Sequence, residues 1–320
     1  MVTIVFFGTS TFAVPTLDLL LESQHDVVAV VTRPDRPRGR GHRIHESPVK
    51  ARARASSVQV LQPERMKDPA FLEQVATFSA DLGVVASYGK ILPDVLLETP
   101  RFGMINVHAS LLPKYRGAAP IHRAILAGER ETGVTIIRLV RELDAGPMLK
   151  QRARLIKPEE TSEDLETILA KQGANLLLEA IADLEAGRES PEEQEHQCAT
   201  LAPRLIKEDG IIDWTEPASM VHNQVRGLHP WPHAYTYLDG KRYLILQCNV
   251  CAITRPATVT NSTPGEVLEA KGESFIVAAG DNSAVAILKI QPEGRRAVSA
   301  RAFLAGHRIR IGSIFQRRLL

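Results

Sequence analysis

The chain opens on a short apolar run, residues 2–7, that stops at Gly8 and gives way to helically spaced Phe12, Leu17, Leu20 and Leu21. Further apolar runs follow at 27–31, 82–86, 104–107 and 134–139. Continuous runs of strand length, separated by helical patterns, predict a mostly parallel sheet covered on both faces. Ligands bind such sheets at the carboxyl ends of the strands. Residues 165–184 carry leucine and isoleucine at helical spacing and predict a long amphipathic helix that ends at Gly187.

The pattern then changes. Glu189-Ser-Pro-Glu-Glu-Gln-Glu-His is polar, acidic and proline-containing, the composition of a linker. Beyond Trp214 short apolar runs alternate with turns. Residues 235–238 lead through Asp239-Gly240 into 243–250, a hairpin signal, and 266–269, 275–278 and 285–290 follow. Several short strands in about 90 residues suggest a small barrel of the OB type. The expected organisation is residues 1–188, a linker at 189–206, and a barrel over 207–320.

A length of 320 residues is compatible with two domains. Hydrophobic residues at 44% and charged residues at 24% exclude a disordered chain and a disulfide scaffold. No apolar run approaches the roughly 18 residues of a membrane span. The first residues show no basic leader and read as a buried strand rather than a signal peptide. Three cysteines (Cys198, Cys248, Cys251) point to a reducing compartment, and the expected location is the cytoplasm.

A net charge of +2 conceals an uneven distribution. Five arginines (33, 36, 38, 40, 43) crowd one stretch in which Asp35 is the lone acid. Seven more lie between Arg295 and Arg318, with no acid among them. Two basic segments so far apart suit a polyanion that touches both; the alternative is solvated surface.

Several chemistries are absent from the sequence. Gly8-Thr-Ser-Thr-Phe lacks the glycines of a dinucleotide turn, and there is no phosphate-binding Gly-x4-Gly-Lys loop. Cys248-Asn-Val-Cys251 has zinc-like spacing but no second pair, and strand positions three apart face opposite sides, so no metal is expected. The informative segment runs from Asn106-Val-His108-Ala-Ser110-Leu111-Leu112-Pro113 to Arg116-Gly117. Asn106 and His108 have the period-two spacing of one strand face. An amide beside an imidazole can hold an oxyanion and manage a proton. Leu143-Asp144-Ala-Gly146 follows the fifth run and should bring a carboxylate to the same rim, where it would orient the imidazole and favour its charged form. On spacing alone, the alternative is three unrelated loop residues making local hydrogen bonds.

That segment resembles the motif of the folate-dependent formyltransferases: Asn-x-His-x-Ser-Leu-Leu-Pro, then Arg-Gly, then Asp-x-Gly. Phe7-Gly8-Thr9, Pro34-Asp35-Arg36-Pro37, Ser47-Pro48-Val49-Lys50, Tyr88-Gly89-Lys-Ile91-Leu-Pro93, Ile212-Asp213-Trp214 and Pro230-Trp231-Pro232 look in particular like the branch that acts on methionyl-tRNA. The likeness covers nearly the whole chain. Ala109 stands where glycine is common, and Pro147 where an acidic residue is usual.

The resemblance implies a Rossmann-like formyltransferase fold followed by a tRNA-binding OB-like barrel. It implies transfer of a formyl group from 10-formyltetrahydrofolate to the amino group of methionyl-initiator tRNA by a monomer. Asn106, His108 and Asp144 would be catalytic. Folate would lie against Tyr88, Ile91, Ser110, Leu111, Leu112 and Pro113. Arg36, Arg38, Arg40 and Arg43, on an irregular arm after the second strand, would grip tRNA phosphates. A sugar-nucleotide N-formyltransferase is the nearest alternative, and the arginine arm argues against it. A glycinamide ribonucleotide formyltransferase would leave residues 206–320 unexplained, and an RNA-binding module without catalysis would leave the three catalytic residues unexplained.

Overall fold

The computed structural model describes residues 1–38, 43–251 and 262–317, without the side chains of residues 37, 38, 43 and 44. Two compact units divide the chain. One comprises Met1–Pro120, Glu131–Leu155 and Glu166–Pro203; the other comprises Ile121–Arg130, Ile156–Leu165 and Arg204–Leu320.

In the first unit β1 (Thr3–Gly8) is buried at every position but its first. It is followed by α1 (Val14–Glu22), β2 (Asp26–Val31), β3 (Arg36–Arg38), β4 (Arg43–His45), α2 (Pro48–Ala55), β5 (Gln59–Leu61) and α3 (Pro69–Thr77). Next come β6 (Leu82–Ala86), α4 (Asp94–Glu98), β7 (Met104–His108), β8 (Arg116–Gly117), α5 (Pro120–Leu126), which after Pro120 belongs to the second unit, β9 (Glu131–Arg138) and β10 (Met148–Leu155). α6 (Ser162–Glu185) and β11 (Leu201–Ala202) complete the series. Proline opens α1, α2 and α3, where its missing N–H costs nothing, and Ser47 and Asp68 cap α2 and α3.

The main sheet has seven strands in the order β10-β9-β7-β6-β1-β2-β5. The five from β5 to β7 are parallel, and β9 and β10 run antiparallel to their neighbours. α6 lies on the face carrying Val107 and Val134, to which its Gly173 makes a close approach. Residues of α3 and α4 pack on the other face, with Met104, Val85 and Phe7. The sheet is therefore mostly parallel and helix-covered, as the apolar runs predict.

One direction differs from the sequence reading. The run at 134–139 is β9, and it is antiparallel: His108 pairs with Thr135, and Ile105 with Arg138. Its carboxyl end thus lies at the amino end of β7, away from the expected rim. A fully buried strand carries the same apolar run in either direction, so the pattern does not encode this.

In the second unit α7 (Ala218–Gly227) precedes a sheet built from β12 (Ala234–Leu238), β13 (Lys241–Val250), β14 (Val267–Lys271), β15 (Ser274–Ala279), β16 (Ser283–Pro292) and β17 (Val298–Ser299), with α8 (Ala300–Gly306) after it. The strand order is β12-β13-β16-β15-β14. Asp239 and Gly240, both at positive φ, make the predicted tight turn between β12 and β13. Residues 312–316 then join the two edges of this sheet: Ile314 bridges Glu266 beside β14, and Gln316 bridges Tyr237 in β12. The sheet curls into an OB-like barrel around Trp214, Phe275, Phe303 and Phe315. Cys248 is buried in it, and burial pushes its thiol up to about 12, so it acts as an apolar packing group. Among the described residues no group of three His, Cys, Asp or Glu could hold a metal ion, and no helix is long and apolar enough to cross a membrane.

Candidate active site

β7 ends at His108, beside the carboxyl end of β6 and one strand further from that of β1. Strand alternation puts Met104, Asn106 and His108 on one face, and Ile105 and Val107 on the α6 face. Asn106 pairs in register with Val85 and Ile137, so its amide is set among apolar neighbours. It is 9% exposed, and its side chain hydrogen-bonds to no other described residue. The amide atoms are not among the buried polar atoms left without a partner, so they retain solvent contact where a ligand can reach them.

His108, two residues on, is 5% exposed. Its Nε2 lies 2.9 Å from the Tyr115 carbonyl oxygen, and a carbonyl can only accept, so Nε2 carries a proton. Nδ1 faces Asp144 Oδ2 at 3.6 Å, too long for a hydrogen bond. The other bond of that carboxylate oxygen comes from Gly117 N–H at 2.8 Å. A second proton on the ring would make both of its contacts favourable.

Asp144 reaches this point by a longer route than expected. Leu139 N–H donates to Met104 O, so the loop that follows β9 starts at the amino end of β7. It doubles back along the strand by three residue pairs, about 10 Å, to place Asp144 beside His108. Gly146 makes the fold-back possible, since a Cβ there would sit 2.0 Å from the Arg138 carbonyl oxygen. Gly146→Ala is expected to cost about 1–3 kcal/mol of stability, read by denaturant unfolding; an unchanged midpoint would mean that the loop can shift freely.

The segment after β7 is held from below. Thr135 Oγ1 donates to Ser110 O and accepts from Leu112 N–H, and Gln151 Nε2 donates to Leu112 O. Gly117 has a φ of +120°, and a Cβ there would meet the Ala202 carbonyl oxygen at 2.8 Å, which explains glycine after Arg116.

The residues assigned to folate separate into two groups. Ile91 is 85% exposed, whereas Leu111 is half-buried and Leu112 is buried. Pro113 is half-buried after a cis peptide bond. The Ser110 side chain is turned away from solvent to donate to Lys114 O, so it closes the loop instead of presenting a hydroxyl. Tyr88 is also buried: its ring is 2% exposed and packs edge-on against Phe7, and its hydroxyl donates to Met66 Sδ, so its side chain packs in the core.

The described ends of the arginine arm form strands. β3 and β4 pair antiparallel, Arg36 opposite His45 and Arg38 opposite Arg43. Arg36 is exposed; Arg40 lies outside the described residues, and the side chains of Arg38 and Arg43 are not described. Asp35 does not neutralise the arm. It takes a salt bridge from Lys50 and a 2.8 Å hydrogen bond from Gln62, which also donates to Arg33 O. These bonds, Lys50 first, hold the Asp35 carboxyl below its ordinary range. A depressed carboxylate contributes stability above its unfolded pKa and loses it only as the pH falls through the folded value. The anchor of the arm is therefore intact at neutral pH and is expected to fail only in acid.

Residues 1–181 match the family described as formyl transferase, and residues 204–308 match the formyl transferase C-terminal domain. The methionyl-tRNA formyltransferase of Caldanaerobacter subterraneus is 47% identical over 98% of this chain and 99% of its own length. That of Solibacter usitatus is 46% identical over 96% of each. The chain belongs to the methionyl-tRNA formyltransferase family. Among solved structures, an N-formyltransferase from Helicobacter canadensis, complexed with folinic acid and dTDP-3-aminofucose, shares the fold with a TM-score of 0.67. It is 19% identical and covers 91% of this chain and 100% of its own.

Against the formyltransferase motif, the two departures leave the site intact. Ala109 is buried, and Pro147, lacking an N–H, still contributes its carbonyl to Arg138 N–H at 2.9 Å. The features not legible from the motif are the Tyr115 carbonyl and the Gly117 N–H. Both are backbone groups, which carry no signal in a list of residue types.

Proposed function

We propose that the chain transfers the formyl group of 10-formyltetrahydrofolate to the α-amino group of methionyl-initiator tRNA, as a cytoplasmic monomer. The observation that carries the chemistry is the unpartnered Asn106 amide beside the His108–Asp144 pair. The neutral amine attacks the formyl carbon, and the carbonyl oxygen takes up negative charge in a tetrahedral intermediate. Asn106 N–H meets that oxygen. His108 supplies the second donor when its Nε2–H exchanges the Tyr115 carbonyl for the substrate oxygen. The C–N10 bond then breaks, and the proton lost by the attacking amine ends on N10. Asp144 orients the imidazole and relays that proton through water. Ile91, Leu111 and Pro113 would offer apolar surface to a flat pteridine, with the buried Leu112, Tyr88 and Ser110 supporting the loops that carry them.

The test offers 10-formyltetrahydrofolate with methionyl-initiator tRNA, a charged elongator tRNA and an amino sugar nucleotide. Formylation of the initiator tRNA alone is expected; formylation of the amino sugar would replace this reading with the sugar-nucleotide one.

The arginine arm is proposed to hold tRNA phosphates through Arg36, Arg38, Arg40 and Arg43, with the barrel giving a second contact. Each lost phosphate contact should lower the log–log salt slope of tRNA binding by about 0.7–0.9. A quadruple Arg→Gln variant is expected to bind tRNA more weakly and with a flatter slope, while folate affinity is unchanged. Equal slopes in variant and parent would move the tRNA to the barrel.

A further inference from the structure

Residues 189–203, most of the expected linker, lie outside both matched family regions and are acidic and proline-containing. In the first unit they form a strap over the active-site loops. Glu192 bridges Met148, β11 pairs with β8, and Thr200 Oγ1 accepts from Tyr115 N–H at 2.9 Å. Within this exposed text Gln194 is only 3% exposed, and every polar atom of its side chain is used. Its Nε2 donates to the carbonyls of Asp144 and Gly146, each at 2.8 Å. Its Oε1 accepts from Arg116 Nε at 3.0 Å and Nη2 at 2.6 Å.

Asp144 needs such a grip. Its φ is +46°, a left-handed conformation that is uncommon for a residue with a Cβ, though aspartate adopts it more readily than most. The two N–H groups of Gln194 fix the carbonyl of the strained residue and that of the turn two residues on. The carboxylate is thereby aimed at Gly117 N–H and His108.

We propose that Gln194 is a positioning residue for Asp144 in the formyl-transfer reaction, which rests on the function proposed above. It touches no reacting atom and acts by holding the Asp144 turn, so its loss lowers turnover without weakening substrate binding.

Two variants separate the roles of its side chain. Gln194→Ala removes everything. Gln194→Glu keeps the shape and the acceptor for Arg116 but has no N–H for the two carbonyls. In both, kcat is expected to fall about tenfold or more with KM for each substrate unchanged. The Gly117 amide, whose acceptor is Asp144, is expected to exchange its hydrogen about tenfold faster by NMR, approaching its rate in Asp144→Ala. Parental turnover and parental Gly117 protection in Gln194→Glu would overturn the proposal, because the grip on Arg116 would then suffice. If Gln194→Ala fails to fold, Gln194→Glu decides alone. If the parent does not formylate methionyl-tRNA, the function falls, and Gly117 exchange still decides what Gln194 holds.

Discussion

Asn106→Ala is expected to lower kcat about a hundredfold or more, with the KM values for folate and tRNA little changed and the unfolding midpoint preserved. The amide is buried on the edge of an apolar sheet face and bonds to no other described residue. Removing it takes nothing from the folded state, so stability should hold or rise. What is lost is a donor already fixed in place by strand pairing with β6 and β9, which need not reorganise when charge develops. A donor of this kind serves the transition state more than the ground state, so the loss falls on kcat. Steady-state kinetics on the purified variant checks this. Near-parental turnover would remove Asn106 from the mechanism, and a drop confined to KM would make it a substrate-binding group.

His108→Ala and Asp144→Asn are each expected to cost about a hundredfold in kcat, and the double variant no more than the worse single one. The imidazole sits 3.6 Å from the carboxylate, and its other nitrogen is held by a carbonyl. On the proposed mechanism the two side chains work as one device, with the carboxylate orienting the ring. Asparagine at 144 can still accept from Gly117 N–H, so the loop should stay closed while the negative charge is lost. Turnover of the four proteins in the cycle reads the coupling. Multiplicative losses in the double variant would show that Asp144 acts without His108.

Much of this was written in the sequence, and the exceptions have physical causes. The parallel strands, the length of α6 and the Asp239-Gly240 turn follow from periodicity and turn chemistry. The direction of β9 does not, because a strand buried on both faces reads alike either way. The contact between Asp144 and His108 was expected, but the fold-back that makes it depends on Gly146 lying against a backbone carbonyl. Tyr88 reads as a loop residue beside Gly89, yet its ring turns inward to Phe7 and Met66. The strap was hidden by composition. Glu, Ser, Pro and Gln suggest solvated linker, and only the structure shows Gln194 spending its polar atoms on neighbouring carbonyls and a guanidinium instead of water. The bridging of the two sheet edges by 312–316 rests on backbone contacts in a short segment flanked by arginines, whose side-chain pattern carries no strand signal.

The most direct test of the account is a single-turnover experiment with isotope-labelled 10-formyltetrahydrofolate and charged methionyl-initiator tRNA, in the parent and in an Asn106→Ala, His108→Ala, Asp144→Asn triple variant. After hydrolysis of the ester, the amino acid is weighed by mass spectrometry. Labelled formylmethionine is expected in near-stoichiometric yield from the parent, and none above background from the variant. No labelled formylmethionine from the parent, or its formation at the parental rate by the variant, would contradict the account.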